Sequence, residues 1–338
     1  MKYLEGISGD KRISRIGLGT WQFGSKEWGY GDDYDTTVTD QIVARAAEVG
    51  ITLFDTAEIY GFGRSERILG AALERAGVRD DAFIATKIFP VLPVGPVVGQ
   101  RARASAERLG VRCIDLYQVH QPNPLVPDSL IMPRMRDLQD ARSVVEVGVS
   151  NYSLQRWKKA EQALGRPVLS NQVQFSLAHA DPLADLVPYA EAHSRVIIAY
   201  SPLAQGLLSA KYDAEHQPSG AIRRMNPLFA EENLTRAAGL LDTLREVAGA
   251  HDVTAAQVAL SWLIHHPGVV VIPGASGVGQ VEANAAAAEI VLADDEVAEL
   301  SAQARAFAPR SNPAVSLGQV KEHISAAVGG LRDRLPFG

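Results

Sequence analysis

Several features are scarce or missing in this chain of 338 residues. A single cysteine, Cys113, excludes an intramolecular disulfide, so packing rather than covalent links must hold the fold. Acidic residues outnumber basic ones by 39 to 33, which gives a formal charge of −6. This balance argues against a nucleic-acid-binding protein, because such a protein needs a basic surface to neutralise phosphates.

Long hydrophobic runs are also missing. The apolar run at residues 269–273 is only long enough for a strand, whereas a helix that spans a bilayer needs about 20 apolar residues. Residues 1–15 are polar and charged and contain no apolar signal core. We therefore expect no membrane insertion and a cytoplasmic location.

Common nucleotide and metal motifs do not occur either. The glycine pairs Gly17 with Gly19 and Gly61 with Gly63 do not complete the G-x-G-x-x-G pattern of a Rossmann sheet, and no P-loop pattern is found. The chain has no H-E-x-x-H, no paired C-x-x-C and no aspartate-rich loop. We therefore expect no metal site.

What the sequence does contain is a regular alternation of apolar, strand-sized segments with amphipathic, helix-like stretches. The predicted strands are residues 16–19, 51–55, 83–87, 114–120, 144–150, 169–173, 196–201 and 269–273. Apolar strands separated by helices indicate a parallel sheet covered by helices, and eight such units favour a closed (β/α)8 TIM barrel. The spacing does not prove closure, and an open sheet is the alternative.

The chain shows no Ser-rich linker and no break in composition, so we predict a single domain over residues 1–338. Two extra helices are predicted, one at residues 255–265 before the last strand and one at residues 294–307 after the barrel. Residues 308–338 form a tail with a further predicted helix at residues 319–328. We expect this tail to pack on or near the substrate pocket.

Polar side chains stand at the ends of neighbouring predicted strands. Asp55, Lys87 and His120 end the second, third and fourth strands, and Tyr60 follows the second. One polar residue at a strand end is usually only a solvated terminus, but a barrel would bring all four to one rim. A Lys ammonium about 4 Å from a phenol favours the phenolate by roughly 4 kcal/mol at an effective dielectric of about 20. Asp55 would weaken this effect, so we expect a smaller decrease in the pKa of Tyr60.

These four groups suit the reduction of a carbonyl compound. Tyr60 would donate a proton to an oxygen that becomes negative, and His120 would orient that oxygen by hydrogen bonding. No side chain can supply a hydride, so an organic cofactor must supply it.

Several segments resemble the motifs of the aldo-keto reductases. The most specific is FDTAEIYG at residues 54–61, followed by RSE at residues 64–66. The others are GLGTW at 17–21, DLYQVH at 115–120, GVSN at 148–151, NQVQ at 171–174 and YSPL at 200–203. The similarity extends in order from about residue 13 to about residue 305, and the motifs are specific when taken together.

The resemblance implies a (β/α)8 barrel that reduces a small aldehyde or ketone with NAD(P)H. It implies Tyr60 as the general acid, supported by Lys87 and Asp55, with His120 orienting the substrate. It assigns the nicotinamide and its carboxamide to Ser150, Asn151, Gln172 and Tyr200. It assigns the pyrophosphate and adenosine portions to Ser201, Leu203, Gln205, Gly206, Gly274, Ser276, Gln280 and Asn284.

The segment after the last predicted strand departs from members of the family that prefer NADPH. Those often carry Lys or Arg there, whereas residues 274–280 contain neither. We expect NADP(H), with NAD(H) as the alternative. Arg223 and Arg224 could close over the cofactor phosphates, or they could be an ordinary solvated pair.

Trp21 and Trp28 are candidates for the wall of the substrate pocket, although packing within their loop explains them as well. A rival function on the same fold is a nicotinamide-binding sensor or interaction subunit with slow turnover. The oligomeric state and the identity of the substrate do not follow from the sequence.

Overall fold

A computed structural model describes residues 1–4, 11–25, 29–31, 35–90, 95–213, 215–216, 218, 226–307 and 309. The chain begins with two short antiparallel strands, β1 (Tyr3–Leu4) and β2 (Ile13–Ser14). Within the described residues, eight further strands pair in parallel and in sequence order. They are β3 (Leu18–Gly19), β4 (Leu53–Asp55), β5 (Phe83–Ile88), β6 (Ile114–Val119), β7 (Val144–Ser150), β8 (Ser170–Gln174), β9 (Val196–Tyr200) and β10 (Val269–Val271).

Helices follow the strands of the parallel sheet and cover its outer face. They are α1 (Thr36–Glu48), α2 (Arg64–Arg75), α3 (Pro96–Leu109), α4 (Asp128–Asp140), α5 (Leu154–Leu164), α6 (Leu186–Ala192), α7 (Glu231–Ala250), α8 (Ala255–His265), α9 (Val278–Ala286) and α10 (Asp294–Ala306). The extra helix predicted before the last strand is α8, and the one predicted after the barrel is α10.

The sheet closes on itself between its first and last strands. Ile16 pairs with Val271 and Gly19 with Gly274, both in parallel. The amide of Gly17 donates to the Val271 carbonyl over 2.7 Å. At Gly19 a Cβ atom would lie 2.7 Å from the Ile272 carbonyl oxygen, so only glycine allows this close approach. The prediction of a (β/α)8 barrel is confirmed, and the alternative of an open sheet is wrong.

The interior of the barrel changes character along its length. Near the amino ends of the strands it is filled by large apolar side chains such as Leu53, Phe83 and Leu116, which are all buried. Near the carboxyl ends the buried side chains include Asp55 and Lys87. Apolar side chains at the amino ends of the strands and polar side chains at the carboxyl ends are typical of a barrel whose site lies at the carboxyl end.

The hairpin of β1 and β2 was not predicted, because two-residue strands in a polar segment carry no periodic signal. Tyr3 donates to the Gly50 carbonyl over 3.0 Å, and Lys11 donates to the Ala82 carbonyl over 2.7 Å. Both acceptors precede strands of the barrel, so the hairpin lies at the end opposite the polar groups.

Apart from Pro309, the predicted tail of residues 308–338 lies outside the described residues. Among the helices that the structure describes, none has the length and apolar character to cross a bilayer. Within the same part of the chain, no three His, Cys, Asp or Glu residues are grouped as a metal would require.

Candidate active site

The structure brings the four predicted catalytic residues together at the carboxyl end of the barrel. Asp55 is the last residue of β4, Lys87 lies near the end of β5, and His120 directly follows β6. Tyr60 lies in the turn between β4 and α2. Asp55 and Lys87 are buried, with exposed fractions of 2% and 0%, whereas Tyr60 and His120 are half-buried.

The Lys87 ammonium group is the centre of this cluster. Its Nζ donates to Asp55 Oδ1 over 2.5 Å, to the Thr56 carbonyl over 2.8 Å and to the Tyr60 hydroxyl over 3.4 Å. An ammonium group has three protons to donate, and all three have an acceptor here. The charge and direction of the ammonium group are therefore fixed beside the phenol.

The Asp55 carboxylate is held by two amide side chains as well as by Lys87. Gln172 Nε2 donates to its Oδ2 over 2.8 Å, and Gln118 Nε2 approaches the same oxygen at 3.5 Å. Ser170 donates to the Gln118 side-chain oxygen over 3.4 Å. The buried carboxylate thus has donors on both of its oxygens, as a buried charge requires.

The pKa of the Tyr60 phenol lies above its ordinary value. Burial raises this pKa, the Lys87 charge lowers it, and the Asp55 charge raises it again. The decrease expected from the sequence is therefore wrong in sign, because burial outweighs the lysine. Burial lowers the pKa of Lys87, but the nearby Asp55 and Tyr60 raise it more, and the net value is raised. At neutral pH the site therefore combines a protonated phenol with a charged amine.

Aromatic rings surround the phenol of Tyr60. The rings of Tyr60 and His120 meet edge to face, with centroids 5.7 Å apart, and Phe89 meets His120 in the same way at 5.9 Å. The ring of Trp21 lies 6.5 Å from that of Tyr60, and 40% of Trp21 is exposed. Trp28 lies outside the described residues.

The residues assigned to the nicotinamide form one hydrogen-bonded network beside this cluster. Ser150 Oγ donates to the Gln172 carbonyl over 2.9 Å, and Asn151 Nδ2 donates to Ser150 Oγ over 3.1 Å. The Tyr200 hydroxyl donates to Asn151 Oδ1 over 3.0 Å. Burial, and then the proximity of Tyr60, raises the pKa of Tyr200 to about 12. Through Gln172 the network reaches the Asp55 carboxylate.

The segment after β9 carries several residues in left-handed backbone conformations. These include Ser201 with φ 49°, Gln205 with φ 55° and Gly206 with φ 100°. Leu203 precedes a 3-10 segment, Ala204–Ser209, in which Gln205 and Gly206 interrupt the helical dihedrals. Such strain in non-glycine residues is concentrated at functional sites. Asn226 Nδ2 donates to Gln205 Oε1 over 2.8 Å and links this segment to the 3-10 turn at Pro227–Phe229.

The residues assigned to the adenosine portion follow β10. The Ser276 amide donates to Gln280 Oε1 over 2.7 Å, in the first turn of α9. Asn284 is buried one turn further along the same helix, and Gly274 lies at the seam beside Gly19. Arg223 and Arg224 lie outside the described residues.

Three residues at this site were not found from the sequence: Gln118, Phe89 and Glu58. Gln118 had a usable signal, because it is a polar residue two positions after Leu116, in a strand where alternate residues face the barrel interior. Phe89 and Glu58 lie in connecting segments whose contacts depend on the tertiary fold. The short-range pattern of the sequence does not contain those contacts.

The structure thus combines a (β/α)8 barrel with a phenol, an ammonium group and an imidazole at one rim. Comparison with known proteins identifies the family. The chain belongs to the aldo/keto reductase family, whose model matches residues 15–305. The resemblance drawn from the motifs is thereby confirmed.

Individual relatives cover nearly the whole chain. An uncharacterized oxidoreductase of Mycobacterium tuberculosis is 58% identical over 325 residues, which are 96% of this chain and 99% of the relative. The structure of a glycerol dehydrogenase from Gluconobacter oxydans matches with a TM-score of 0.82 at 27% identity, over 92% of this chain and 98% of that one. An aldo-keto reductase from Klebsiella pneumoniae, crystallised with NADPH, matches with a TM-score of 0.69 at 28% identity and the same two coverages.

Proposed function

We propose that this protein reduces a small aldehyde or ketone to an alcohol, with a nicotinamide cofactor as the hydride source and Tyr60 as the proton donor. The observation that carries the proposal is the position of Lys87 Nζ, 3.4 Å from the Tyr60 hydroxyl and 2.5 Å from Asp55. A charged amine held beside a neutral phenol is the arrangement that a tyrosine acid needs.

Tyr60 and His120 have different roles at the carbonyl oxygen of the substrate. The rings of Tyr60 and His120 lie side by side at the rim, so a substrate oxygen that approaches the Tyr60 hydroxyl would meet a phenol proton and the neighbouring imidazole. As negative charge develops on that oxygen, the phenol proton moves to it and the nearby ammonium group stabilises the phenolate that remains. Asp55 keeps the ammonium group in place during this transfer. Trp21, on the outer side of Tyr60, would wall the pocket.

Residues near Asp55 fit a nicotinamide. The hydroxyl of Ser150 and the amides of Asn151 and Gln172 are the polar partners that a carboxamide requires, and the Tyr200 ring lies beside them. When bound, the cofactor would supply the hydride. The segment with Ser201, Leu203, Gln205 and Gly206 would hold the pyrophosphate, and Gly274, Ser276, Gln280 and Asn284 the adenosine portion.

The first test removes the acidic proton alone. Tyr60→Phe keeps the ring and its packing on His120, so we expect cofactor binding, measured by fluorescence quenching, to stay within about twofold of wild type. Turnover of a generic substrate such as 4-nitrobenzaldehyde should fall by at least about a hundredfold, because general acid catalysis contributes that much. Loss of cofactor binding in this variant, or undiminished turnover, would contradict the role of Tyr60.

The second test concerns the choice of cofactor. Ser276 is exposed just before the amino end of α9, where backbone amides and the helix dipole favour a phosphate. We therefore expect titrations to show binding of NADPH more than about tenfold tighter than binding of NADH. Ser276→Asp should weaken NADPH far more than NADH, because the carboxylate repels a 2′-phosphate. Equal affinities in the wild type would instead favour use of both cofactors.

A further inference from the structure

We propose that Glu58 is a positioning residue, which sets the geometry of Tyr60 and His120 through its hydrogen bonds to the end of β5. This inference rests on the proposed function of those two residues. Glu58 lies two residues before Tyr60, and its side chain is only 11% exposed. Its hydrogen bonds go to Lys87, Phe89 and Arg101, so its influence on the reaction passes through these neighbours.

Glu58 holds β5 at two points that flank Ile88. Its backbone amide donates to the Lys87 carbonyl over 3.3 Å. Its carboxylate accepts a hydrogen bond from the Phe89 amide. One residue of the segment that carries Tyr60 thus fixes both Lys87, which contacts the phenol, and Phe89.

The carboxylate is held in turn by Arg101 of α3. Arg101 Nε donates to Glu58 Oε2 over 3.0 Å, and its Nη2 forms an ion pair with Oε1. The pKa of Glu58 lies above its ordinary value, because burial raises it by more than Arg101 and the Phe89 amide lower it. The arginine therefore stabilises the charged carboxylate and orients it toward the end of β5.

Phe89, which is held by Glu58, also contacts the imidazole of His120. Its ring packs edge to face against His120 at 5.9 Å. The His120 amide donates to the Ile88 carbonyl over 3.0 Å, and Asn123 Nδ2 donates to the Pro90 carbonyl over 2.6 Å. The end of β5 is therefore fixed on the Tyr60 side by Glu58. On the His120 side it is fixed by the hydrogen bonds from the His120 amide and from Asn123. Small displacements of catalytic groups lower rates strongly, so this connection matters for turnover.

The chain offers a matched control on the same elements. Glu66 of α2 is fully buried, accepts from Thr86 of β5 over 2.7 Å, and pairs with Arg108 of α3 over 2.6 Å. It bridges β5 and α3 as Glu58 does, but the hydrogen bonds described for it go to Thr86 and Arg108 rather than to a predicted catalytic residue. Removal of either glutamate should cost stability, whereas only the removal of Glu58 should alter the site.

The kinetic experiment compares the two glutamates in the full chain with NADPH and 4-nitrobenzaldehyde. Glu58→Ala should lower kcat by about tenfold or more while the Kd for NADPH stays within about twofold. Glu58→Gln should recover most of kcat, because its side-chain oxygen can still accept from Phe89. Arg101→Gln should lower kcat in the same direction by a smaller factor. Glu66→Ala should lower the Tm but leave kcat within about twofold of wild type.

A measurement independent of turnover follows the imidazole. With ring-labelled histidine, the His120 signal is assigned by its loss in His120→Gln, and Glu58→Ala should shift it because the Phe89 ring moves. Glu66→Ala should leave it in place. If the wild type fails to reduce carbonyls but this shift appears, the proposed function fails and the positioning role stands. An unmoved His120 signal in Glu58→Ala, or equal losses of kcat in Glu58→Ala and Glu66→Ala, would overturn the inference. Should Glu58→Ala not fold, Arg101→Gln takes its place in the comparison with Glu66→Ala.

Discussion

A lysine with no exposed surface is costly, because removing its charge from water carries a penalty of several kcal/mol. Lys87 tolerates this position since each of its protons has an acceptor and Asp55 supplies the opposite charge. Asp55 is satisfied in turn by Gln172 and, at a longer distance, by Gln118. The pair is therefore a self-consistent unit whose members depend on each other for stability as well as for chemistry.

This dependence can be measured by removing one charge and then the other. Lys87→Met leaves the Asp55 carboxylate buried without its cation, so we expect the free energy of unfolding to drop by about 3–5 kcal/mol. The double variant Asp55→Asn with Lys87→Met should recover most of that loss, since no unpaired charge remains. Neither variant should reduce carbonyl compounds, because both lack Lys87. Urea unfolding of both proteins checks the stability, and a double variant no more stable than Lys87→Met would contradict this account.

At the scale of elements, α2 and α3 approach each other closely at a glycine. A Cβ atom on Gly70 of α2 would lie 2.5 Å from the carbonyl oxygen of Leu109, the last residue of α3, and 2.8 Å from its Cα. The obstruction is backbone, which cannot move aside as a flexible side chain can. These two helices also carry Glu66 and Arg101, so their spacing affects the surroundings of the site.

The same substitution at two helical glycines should have opposite effects. Gly70→Ala forces α2 and α3 apart, and we expect a loss of about 1–3 kcal/mol in the free energy of unfolding. Gly99→Ala, in α3, meets nothing within 4 Å and should stabilise the protein by about 0.5–1 kcal/mol, because alanine favours the helix. Thermal unfolding of both variants provides the comparison. A stabilised Gly70→Ala protein would show that the helices adjust freely.

These elements also show how far the sequence could predict the structure. The barrel strands and the rim residues Asp55, Lys87 and His120 were predictable, because buried strands leave continuous apolar runs and polar residues stand out where such runs end. The pairing of Glu58 with Arg101 was not, since two charged residues 43 positions apart are indistinguishable from solvated side chains until the fold brings them together. The predicted decrease in the pKa of Tyr60 was wrong for a related reason. The degree of burial depends on the whole rim rather than on one lysine.

At the scale of the whole molecule, closure of the barrel depends on few backbone contacts and on Arg15. β3 has two residues and β10 three, so the seam is short. Arg15 reinforces it by donating to the carbonyls of Ile264, His266 and Val269, at 2.5, 2.7 and 2.7 Å. Burial lowers the pKa of this guanidinium to about 10, and the group remains charged at neutral pH.

His266 makes this seam sensitive to acid. Its ring packs edge to face on Trp262 at 5.0 Å and lies 6.2 Å from Phe175. Burial, followed by the neighbouring His265 and Arg15, lowers its pKa from 6.5 to about 4. Between these two values the unfolded chain binds a proton at His266 that the folded chain does not bind, so the contribution of this residue to stability falls as the pH decreases through about 6.5 toward 4.

His266→Gln removes the imidazole that binds this proton in the unfolded chain. From pH 7 to pH 5 we expect the wild type to lose about 1 kcal/mol more than the variant, a figure reduced for solvent screening because the ring is only partly buried. At pH 8 the imidazole is neutral in both states, so any difference there reports packing alone and serves as the internal reference. Urea unfolding at pH 5, 6, 7 and 8 measures both quantities. Parallel pH profiles for the two proteins would mean that His266 takes up its proton equally well in the folded barrel.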